Sequence, residues 1–374
     1  MGGGTGGHIL PLLAVAHSLR QQNSKIKIIA IADQQSKFAY LLKNSTDIDD
    51  LVLIKAGKFR RYPNQSFIQS LLDVKTLGLN IRDGFRTLAG IFQALKILRR
   101  IKPEIIFIKG GYVAVPVGIS AKLLGIPFIT HDSDAVPGLA NRIIGRWANL
   151  HTVGMSKELY NYSENQTIQV GIPVLNEFKK VTSEIKTRYR EQLKIPKNSK
   201  VIFITGGSQG AKKLNQIIAE IIEQLLEIKQ IFVVHQTGKG GVVNLPKAKN
   251  YQVFEYSQEL FKYSASADLI ITRAGSTIAE FAIQYKPLIV IPAEHLADNH
   301  QIKNAEQLKK AKASIVLSES QLFNQPNLLL SEICNLINDT QEQDALSANL
   351  AKLYPPNATS KIAEILLEKK DIKN

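Results

Sequence analysis

Short apolar runs alternate along the chain with longer stretches whose apolar residues recur every three or four positions, the pattern of buried strands alternating with amphipathic helices. Residues 27–32, 104–108 and 127–130 read as strands in the first half, and residues 9–19, 35–43, 113–124 and the stretch from Pro137 through Trp147 as helices. A short strand then ends at Gly171-Ile172-Pro173, and the polar segment 181–199 marks a boundary. Beyond it the pattern restarts, with strands over 201–205, 232–235, 269–272 and 288–291, a helix over 212–226, and further helices after Thr277 and from Asp298. Such alternation predicts α/β architecture built as two Rossmann-like parallel-sheet domains facing a central cleft. The expected domains are residues 1–172 and 173–355, with a terminal helix of about 356–374 packing back onto the first.

Glycine turns sit where strands would hand over to helices. Met1-Gly2-Gly3-Gly4-Thr5-Gly6-Gly7-His8 runs into the first helical stretch, with Pro11 expected in its first turn. Lys109-Gly110-Gly111-Tyr112 and Gly206-Gly207-Ser208-Gln209-Gly210-Ala211 repeat the arrangement. A helix N-terminus behind such a turn offers free N–H groups and partial positive charge to a diphosphate. The first of these turns has neither the dinucleotide nor the P-loop spacing. His8 stands at the first turn, where positive helix charge should keep its imidazole neutral and able to accept a proton. His131-Asp132-Ser133-Asp134 is expected in a loop after a strand, so His8, Tyr112, His131, Asp132 and Asp134 would share the crevice at the strands' carboxyl ends. The plain structural readings stand beside these: Asp132 and Asp134 as caps for the Pro137 helix, Glu280 as a first-turn cap.

One expectation concerns the start. A doubly wound half-domain carries a central strand before its glycine turn, as residues 201–205 do in the second half, whereas Met1 already lies in the turn. Unpaired backbone groups beside a missing central strand would cost about 1–3 kcal/mol each. The sequence therefore predicts a natural product that begins several residues upstream with a Val/Ile/Leu-rich segment.

Charge narrows the partners. Across 374 residues there are 47 Lys and Arg against 32 Asp and Glu, a formal charge of +15, which asks for an anionic partner. Between Lys55 and Lys102, 11 Lys/Arg face only Asp73 and Asp83 and are interleaved with Phe59, Tyr62, Phe67, Phe85 and Phe92. That mixture suits an anionic membrane surface better than a nucleic-acid phosphate track. No apolar run approaches the roughly 20 residues needed to span a bilayer and no signal pattern opens the chain, so a cytoplasmic protein is expected. The single Cys334 excludes an internal disulfide and a cysteine metal cluster. Anion cradles without metal-ligand spacing point to a nucleotide diphosphate held by backbone dipoles, with no metal or cofactor.

Seven ordered motifs, GGGTGGHILPLLAVA, GGYVAVP, HDSDAVPGLAN, GGSQGAKKLNQ, HQTGKG, RAGSTIAE and DNHQIKNA, together resemble the MurG family of peptidoglycan N-acetylglucosaminyltransferases. The resemblance implies the GT-B fold and an inverting, metal-independent transfer of GlcNAc from UDP-GlcNAc to undecaprenyl-linked lipid I, giving lipid II at the cytoplasmic face of the membrane, with cell-wall synthesis proteins as partners and no nucleic acid. It implies donor contacts at Thr5, Gly6, Gly7, Asp134, Ser208, Ser257, Arg273, Ala274, Gly275, Ser276, Thr277, Glu280, His300 and Gln301. It places Tyr112, His131 and Asn141 on the acceptor side, and makes His8 or Asp132 the catalytic base. The loop usually written HEQN is HDSD here, the arginine usual after the hinge is Leu175, and RAGSTIAE is one residue shorter than the usual loop. The shorter Asp132 side chain favours His8. A related glycosyltransferase acting on another membrane lipid, or a non-catalytic nucleotide-sugar-binding protein, are the alternatives.

Overall fold

Runs of β-branched residues pair side by side in parallel, and most of the crossovers between them are helices packed on the sheets, so two separate α/β units result. The computed structural model describes residues 1–2, 6–58, 74–207, 210–239, 241 and 245–368. Its compact units are Met1–Leu175 with Pro356–Asn374, and Asn176–Pro355.

In the first unit, α1 (Gly6–Gln22) leads to β1 (Ile29–Asp33), α2 (Ala39–Lys43) and β2 (Asp50–Ile54). The long α3 (Val74–Ile101) precedes β3 (Ile106–Ile108), α4 (Ala114–Leu123), β4 (Phe128–Asp132), α5 (Leu139–Ile144), β5 (Leu150–Val153) and β6 (Thr167–Gln169). Two sheets form here, β1-β2 and β3-β4-β5-β6, all parallel. Met1 and Gly2 lie along β3: the Lys109 N–H donates to the Met1 carbonyl at 2.9 Å, and Gly2 bridges Gly110 in the parallel sense.

Three local expectations change. Helix α1 begins at Gly6, so Pro11 falls in its second turn, where it removes the bond to the Gly7 carbonyl. His131 and Asp132 belong to β4 and not to a loop, because β5 runs far enough to pair them with Thr152 and Val153. Strand β2 was not foreseen in the alternation.

The second unit has one continuous sheet. After α6 (Ser183–Gln192) come β7 (Lys200–Thr205), α7 (Lys212–Glu227), β8 (Ile231–Gln236), β9 (Tyr251–Phe254), α8 (Leu260–Ser266), β10 (Leu269–Thr272), α9 (Thr277–Ile283) and β11 (Leu288–Val290). The remainder is α10 (His300–Lys310), β12 (Ile315–Val316), α11 (Glu319–Asn324), α12 (Asn327–Leu336) and α13 (Thr340–Leu353). Strand order is β12-β11-β10-β7-β8-β9. Leu214, Ile217, Ile218, Ile221, Ile222 and Leu225 recur on one face of α7 and are buried against Ile202 and Ile204 of β7. At about 1.5–3 kcal/mol per buried aliphatic side chain, this face alone fixes α7 on the sheet.

The chain then returns to the first unit. In α14 (Ala358–Leu367), Ile362, Ala363 and Leu366 share a core with Val15 and Leu19 of α1 and Ile129 of β4. Thr359 Oγ1 accepts from the Val174 N–H and donates to the Val174 carbonyl, both at 3.1 Å.

Candidate active site

In the first unit the polar groups gather where α1 begins and β3 and β4 end. Gly6, Gly7 and His8 are the first residues of α1, whose leading N–H groups have no partner within the helix. Thr5 lies outside the described residues. A Cβ on Gly2 would come within 3.1 Å of the His8 carbonyl oxygen, so the bare backbone there lets the Met1-Gly2 segment lie against the head of α1. Burial first, then the Lys109 ammonium, drives the His8 pKa down to about 4, while Asp134 pulls it up. The imidazole is therefore neutral at physiological pH, but burial and a neighbouring cation do this rather than helix charge.

Asp132 is differently placed. One carboxylate oxygen accepts from Asn141 Nδ2 at 2.9 Å and the Gly138 N–H at 3.2 Å, and the other from the Tyr162 hydroxyl at 2.9 Å. Gly138 is the N-cap of α5, so Asp132 braces the residue that precedes the helix, and no side-chain cap on the helix's own first-turn N–H groups is seen among the described residues. Burial raises its pKa, opposed by Asn141, Tyr162 and Lys109. Asn141 Nδ2 also donates to the His131 carbonyl at 3.1 Å, while its Oδ1 is buried with no partner among the described residues. The His131 ring is wholly internal: Nδ1 meets Thr152 Oγ1 at 3.1 Å and Nε2 meets Ser133 Oγ at 3.2 Å. The Tyr112 hydroxyl donates to Asp33 Oδ2 at 3.2 Å, and burial, reinforced by Asp33, pushes its pKa up to about 12. The Asp134 carbonyl accepts from the Tyr160 hydroxyl at 2.8 Å.

In the second unit the loops after β7, β10 and β11 carry the candidate residues. Gly207 and Gly210 have φ of +80° and +74°, and a Cβ on Gly210 would stand 2.6 Å from the Thr237 carbonyl oxygen, so only glycine fits that turn. Ser208 lies outside the described residues. After β10, Arg273 is buried, donating through Nη1 to the Ile291 carbonyl at 2.9 Å and through Nη2 to Glu319 in an ion pair. Glu319 also meets Lys213 Nζ at 3.0 Å and His295 Nδ1 at 3.4 Å. Arg273 thus holds the base of the loop that contains Ala274, Gly275, Ser276 and Thr277. Asn304 Nδ2 donates to the Ala274 carbonyl at 2.9 Å, a brace from the DNHQIKNA motif.

Glu280, in the first turn of α9, is buried, with 9% of its surface exposed. Its Oε2 has no partner among the described residues, and burial raises its pKa to about 8. A buried carboxyl oxygen without a donor is costly unless a ligand supplies one. Asp298 and Asn299 occupy left-handed backbone in succession, φ 59° and 51°, immediately before His300 opens α10. Asp and Asn are the side-chain-bearing residues that enter this region most readily, and the pair sets the sharp turn into α10. Gln301 Oε1 accepts from the Ala293 N–H at 2.9 Å, and Ser257 Oγ from the Glu259 N–H at 3.0 Å.

Two participants escaped sequence reasoning. Lys109 was visible only as a cation in a glycine turn, yet it is buried within electrostatic reach of His8, of Asp132 at the end of β4 and of Asp134. Tyr162 comes from an irregular segment and reaches Asp132 because its ring stacks on His151 at 3.7 Å between centroids.

The glycosyltransferase family 28 N-terminal domain matches residues 1–152, and the glycosyltransferase family 28 C-terminal domain matches residues 201–363. A Clostridium botulinum UDP-N-acetylglucosamine–N-acetylmuramyl-(pentapeptide) pyrophosphoryl-undecaprenol N-acetylglucosamine transferase is 34% identical over 371 residues, covering 98% of this chain and 96% of the relative. The chain belongs to glycosyltransferase family 28. A relative of the same description from Borrelia garinii is 31% identical, covering 100% of this chain and 96% of its own length. Among family 28 structures, Acinetobacter baumannii MurG superposes with a TM-score of 0.70 at 26% identity, with 98% of each chain covered. The fold alone is shared with the Neisseria meningitidis UDP-GlcNAc 2-epimerase bound to UDP-GlcNAc, at TM-score 0.64 and 15% identity. The sequence-derived family and GT-B fold class stand on these matches, and the protein is a glycosyltransferase.

Proposed function

We propose that this enzyme transfers GlcNAc from UDP-GlcNAc to the muramyl 4-hydroxyl of undecaprenyl-diphospho-muramoylpentapeptide, yielding lipid II and UDP. The full-length similarity to transferases of that description supports the substrates. The acceptor oxygen attacks C1 of GlcNAc from the face opposite UDP. The new C1–O bond forms as the bond to the β-phosphate oxygen breaks, which inverts the configuration. The observation that carries the base assignment is the contrast between His8 and Asp132. The His8 imidazole is neutral at physiological pH, whereas both Asp132 oxygens already accept hydrogen bonds. His8 takes the hydroxyl proton, and Asp132 holds Asn141, Gly138 and Tyr162 in place.

In the second unit the turn through Gly207 and Gly210 and the loop from Ala274 to Thr277 would hold the leaving diphosphate through N–H groups. The orphaned Glu280 Oε2 would accept from the ribose hydroxyls. Residues Gly6, Gly7, Asp134, Ser257, His300 and Gln301 keep the substrate-facing roles that the motif resemblance implies. Incubation with labelled UDP-GlcNAc and lipid I tests the reading: lipid II and UDP must appear together, and hydrolysis of the donor without transfer would overturn it.

The same reading puts the enzyme on the cytoplasmic face of the membrane. No helix among the described residues is long and apolar enough to cross a bilayer. Helix α3, however, is patterned inside out. Its inward positions are Asp83, Thr87, Gly90, Ala94 and Leu98, while Leu77, Ile81, Phe85, Leu88 and Phe92 stand in solvent, Phe85 at 69% and Phe92 at 72% exposure. Lys96, Arg99 and Arg100 follow at its end, whereas Arg60 and Arg61 lie outside the described residues. Large apolar side chains over a basic end fit an anionic lipid surface. Phe85→Ser with Phe92→Ser should abolish sedimentation with anionic vesicles at low salt. Unchanged sedimentation would remove α3 as the docking face.

A further inference from the structure

We propose that Glu319 is a positioning residue for the loops that hold the donor diphosphate, setting their spacing from behind; this rests on the transfer reading above. Glu319 opens α11, lies outside all seven sequence motifs and is only 1% exposed. Basic side chains from three separate segments of the second unit reach its carboxylate. Lys213 Nζ comes within 3.0 Å from the head of α7, just past the turn through Gly207 and Gly210. Arg273 Nη2 pairs with it from the end of β10, and His295 Nδ1 meets it at 3.4 Å from the segment after β11.

Arg273 carries the constraint into the loop itself. Its Nη1 donates to the Ile291 carbonyl at 2.9 Å, and its own carbonyl accepts from the Gly275 N–H at 2.9 Å, so the turn into α9 is pinned through a buried guanidinium. Burial lowers the Arg273 pKa, and the Glu319 carboxylate opposes that shift. Replacing a buried ion cluster with well-packed apolar side chains is often neutral or stabilising, so stability alone is a weak reason for one here. Its reach is the informative feature. A single carboxylate meets the chain just after the β7 turn, at the base of the Ala274 to Thr277 loop, and ahead of His300 and Gln301. Those segments therefore keep one spacing while the carboxylate is charged, and the first two lead to the N–H groups assigned to the leaving diphosphate.

The test compares wild type with Glu319→Gln, which keeps the shape and removes the charge, and with Glu319→Asp, which keeps the charge. Calorimetry with UDP and with uridine isolates the two phosphates, and steady-state kinetics separates the KM of each substrate. Positioning errors of about 1 Å cost up to ~100-fold, so Glu319→Gln should lower the ratio of UDP to uridine affinity roughly 10- to 100-fold. The KM for UDP-GlcNAc should rise by a similar factor, the acceptor KM should move far less, and Glu319→Asp should recover part of the loss. A merely structural role would lower thermal stability and the active fraction and leave the affinity ratio alone. An unchanged ratio in folded Glu319→Gln therefore overturns the proposal, as does an acceptor KM that rises as far as the donor KM. Should Glu319→Gln fail to fold, Lys213→Met and His295→Ala, both at half-exposed arms of the cluster, take its place, and an unchanged ratio in both overturns the proposal equally. Because the ratio is read without turnover, a wild type that binds UDP yet makes no lipid II defeats the transfer reading while the ratio still decides the role of Glu319.

Discussion

In the second unit the glycine turn through Gly207 leaves β7, which is hydrogen-bonded on both sides, to β8 from Lys200 to Thr205 and to β10 from Val201's neighbour Ile202 onward. In the first unit Met1 and Gly2 meet β3 through the Met1 amino group at the Phe107 carbonyl, the Met1 carbonyl at the Lys109 N–H and a bridge from Gly2 to Gly110, and β1-β2 stands as a sheet apart from β3 to β6. The described flanks of the two glycine-rich segments therefore differ. Gly207 follows the middle of a six-stranded sheet, whereas Gly6 opens α1, whose Val15 and Leu19 share a core with α14. The buried titratable groups differ in the same way. The first unit keeps a neutral His8 near a buried lysine, and the second keeps a Glu280 whose Oε2 has no hydrogen-bond partner among the described residues.

The sharpest break between these roles is His8→Ala. Removal of a general base costs about 10²–10⁴-fold in turnover. Affinity for UDP, measured by calorimetry, should be nearly intact, because the nucleotide contacts are assigned to the other unit. If Asp132→Ala abolishes turnover while His8→Ala does not, the base is Asp132 and the division of labour must be redrawn within the first unit.

The unequal sheets can be compared by one truncation in each. Ile204 in β7 is completely enclosed, and Ile31 in β1 nearly so. Isoleucine-to-alanine changes in cores cost about 2–5 kcal/mol, depending on how far the site can collapse. Ile204→Ala should fall near the upper end, since β8 and β10 hold the cavity open, and Ile31→Ala near the lower end, since a two-stranded sheet can close on it. Urea unfolding followed separately in each unit measures both, and equal losses would show that sheet continuity does not govern the difference.

The strands were legible where β-branched residues run together, as in Val201-Ile202-Phe203-Ile204, and so were the helices with a single apolar face, such as α7. Strand β2 was not, because Asp-Leu-Val-Leu-Ile leaves four of its five residues at least partly exposed at a sheet edge and shows no buried run. The start of α1 was misjudged because glycines weaken the helical signal, although a helix head is where their free N–H groups are wanted. Candidate residues in glycine turns could be read from residue type alone. Burial of Lys109, the internal bonds of His131 and the reach of Tyr162 depend on which strand ends meet, and no local pattern records that.

The finest contrast lies in the pH responses. Glu280 has its pKa raised from 4.5 to about 8 by burial, so between those values the folded protein holds a proton that the unfolded chain has released. Stability then falls as pH rises through that window and levels off above it, by linkage. His8 runs the other way: lowered from 6.5 to about 4, it gives the folded state fewer protons than the unfolded one, so its contribution to stability grows as pH rises from about 4 to 6.5 and is flat beyond. Above about pH 6.5 only the Glu280 slope remains of the two, and Glu280→Gln should remove it. The same carboxyl gives the donor site a signature that the first unit lacks. Ribose hydroxyls can donate to Oε2 most strongly when Glu280 is ionised, so UDP binding should release a proton and tighten several-fold from about pH 6 to about pH 8. Calorimetry in buffers of different ionisation enthalpy counts that proton. Loss of the pH dependence in Glu280→Gln, with its persistence in His8→Ala, would assign it to Glu280; wild-type affinity that does not change over this range would mean that the ribose does not meet this carboxyl.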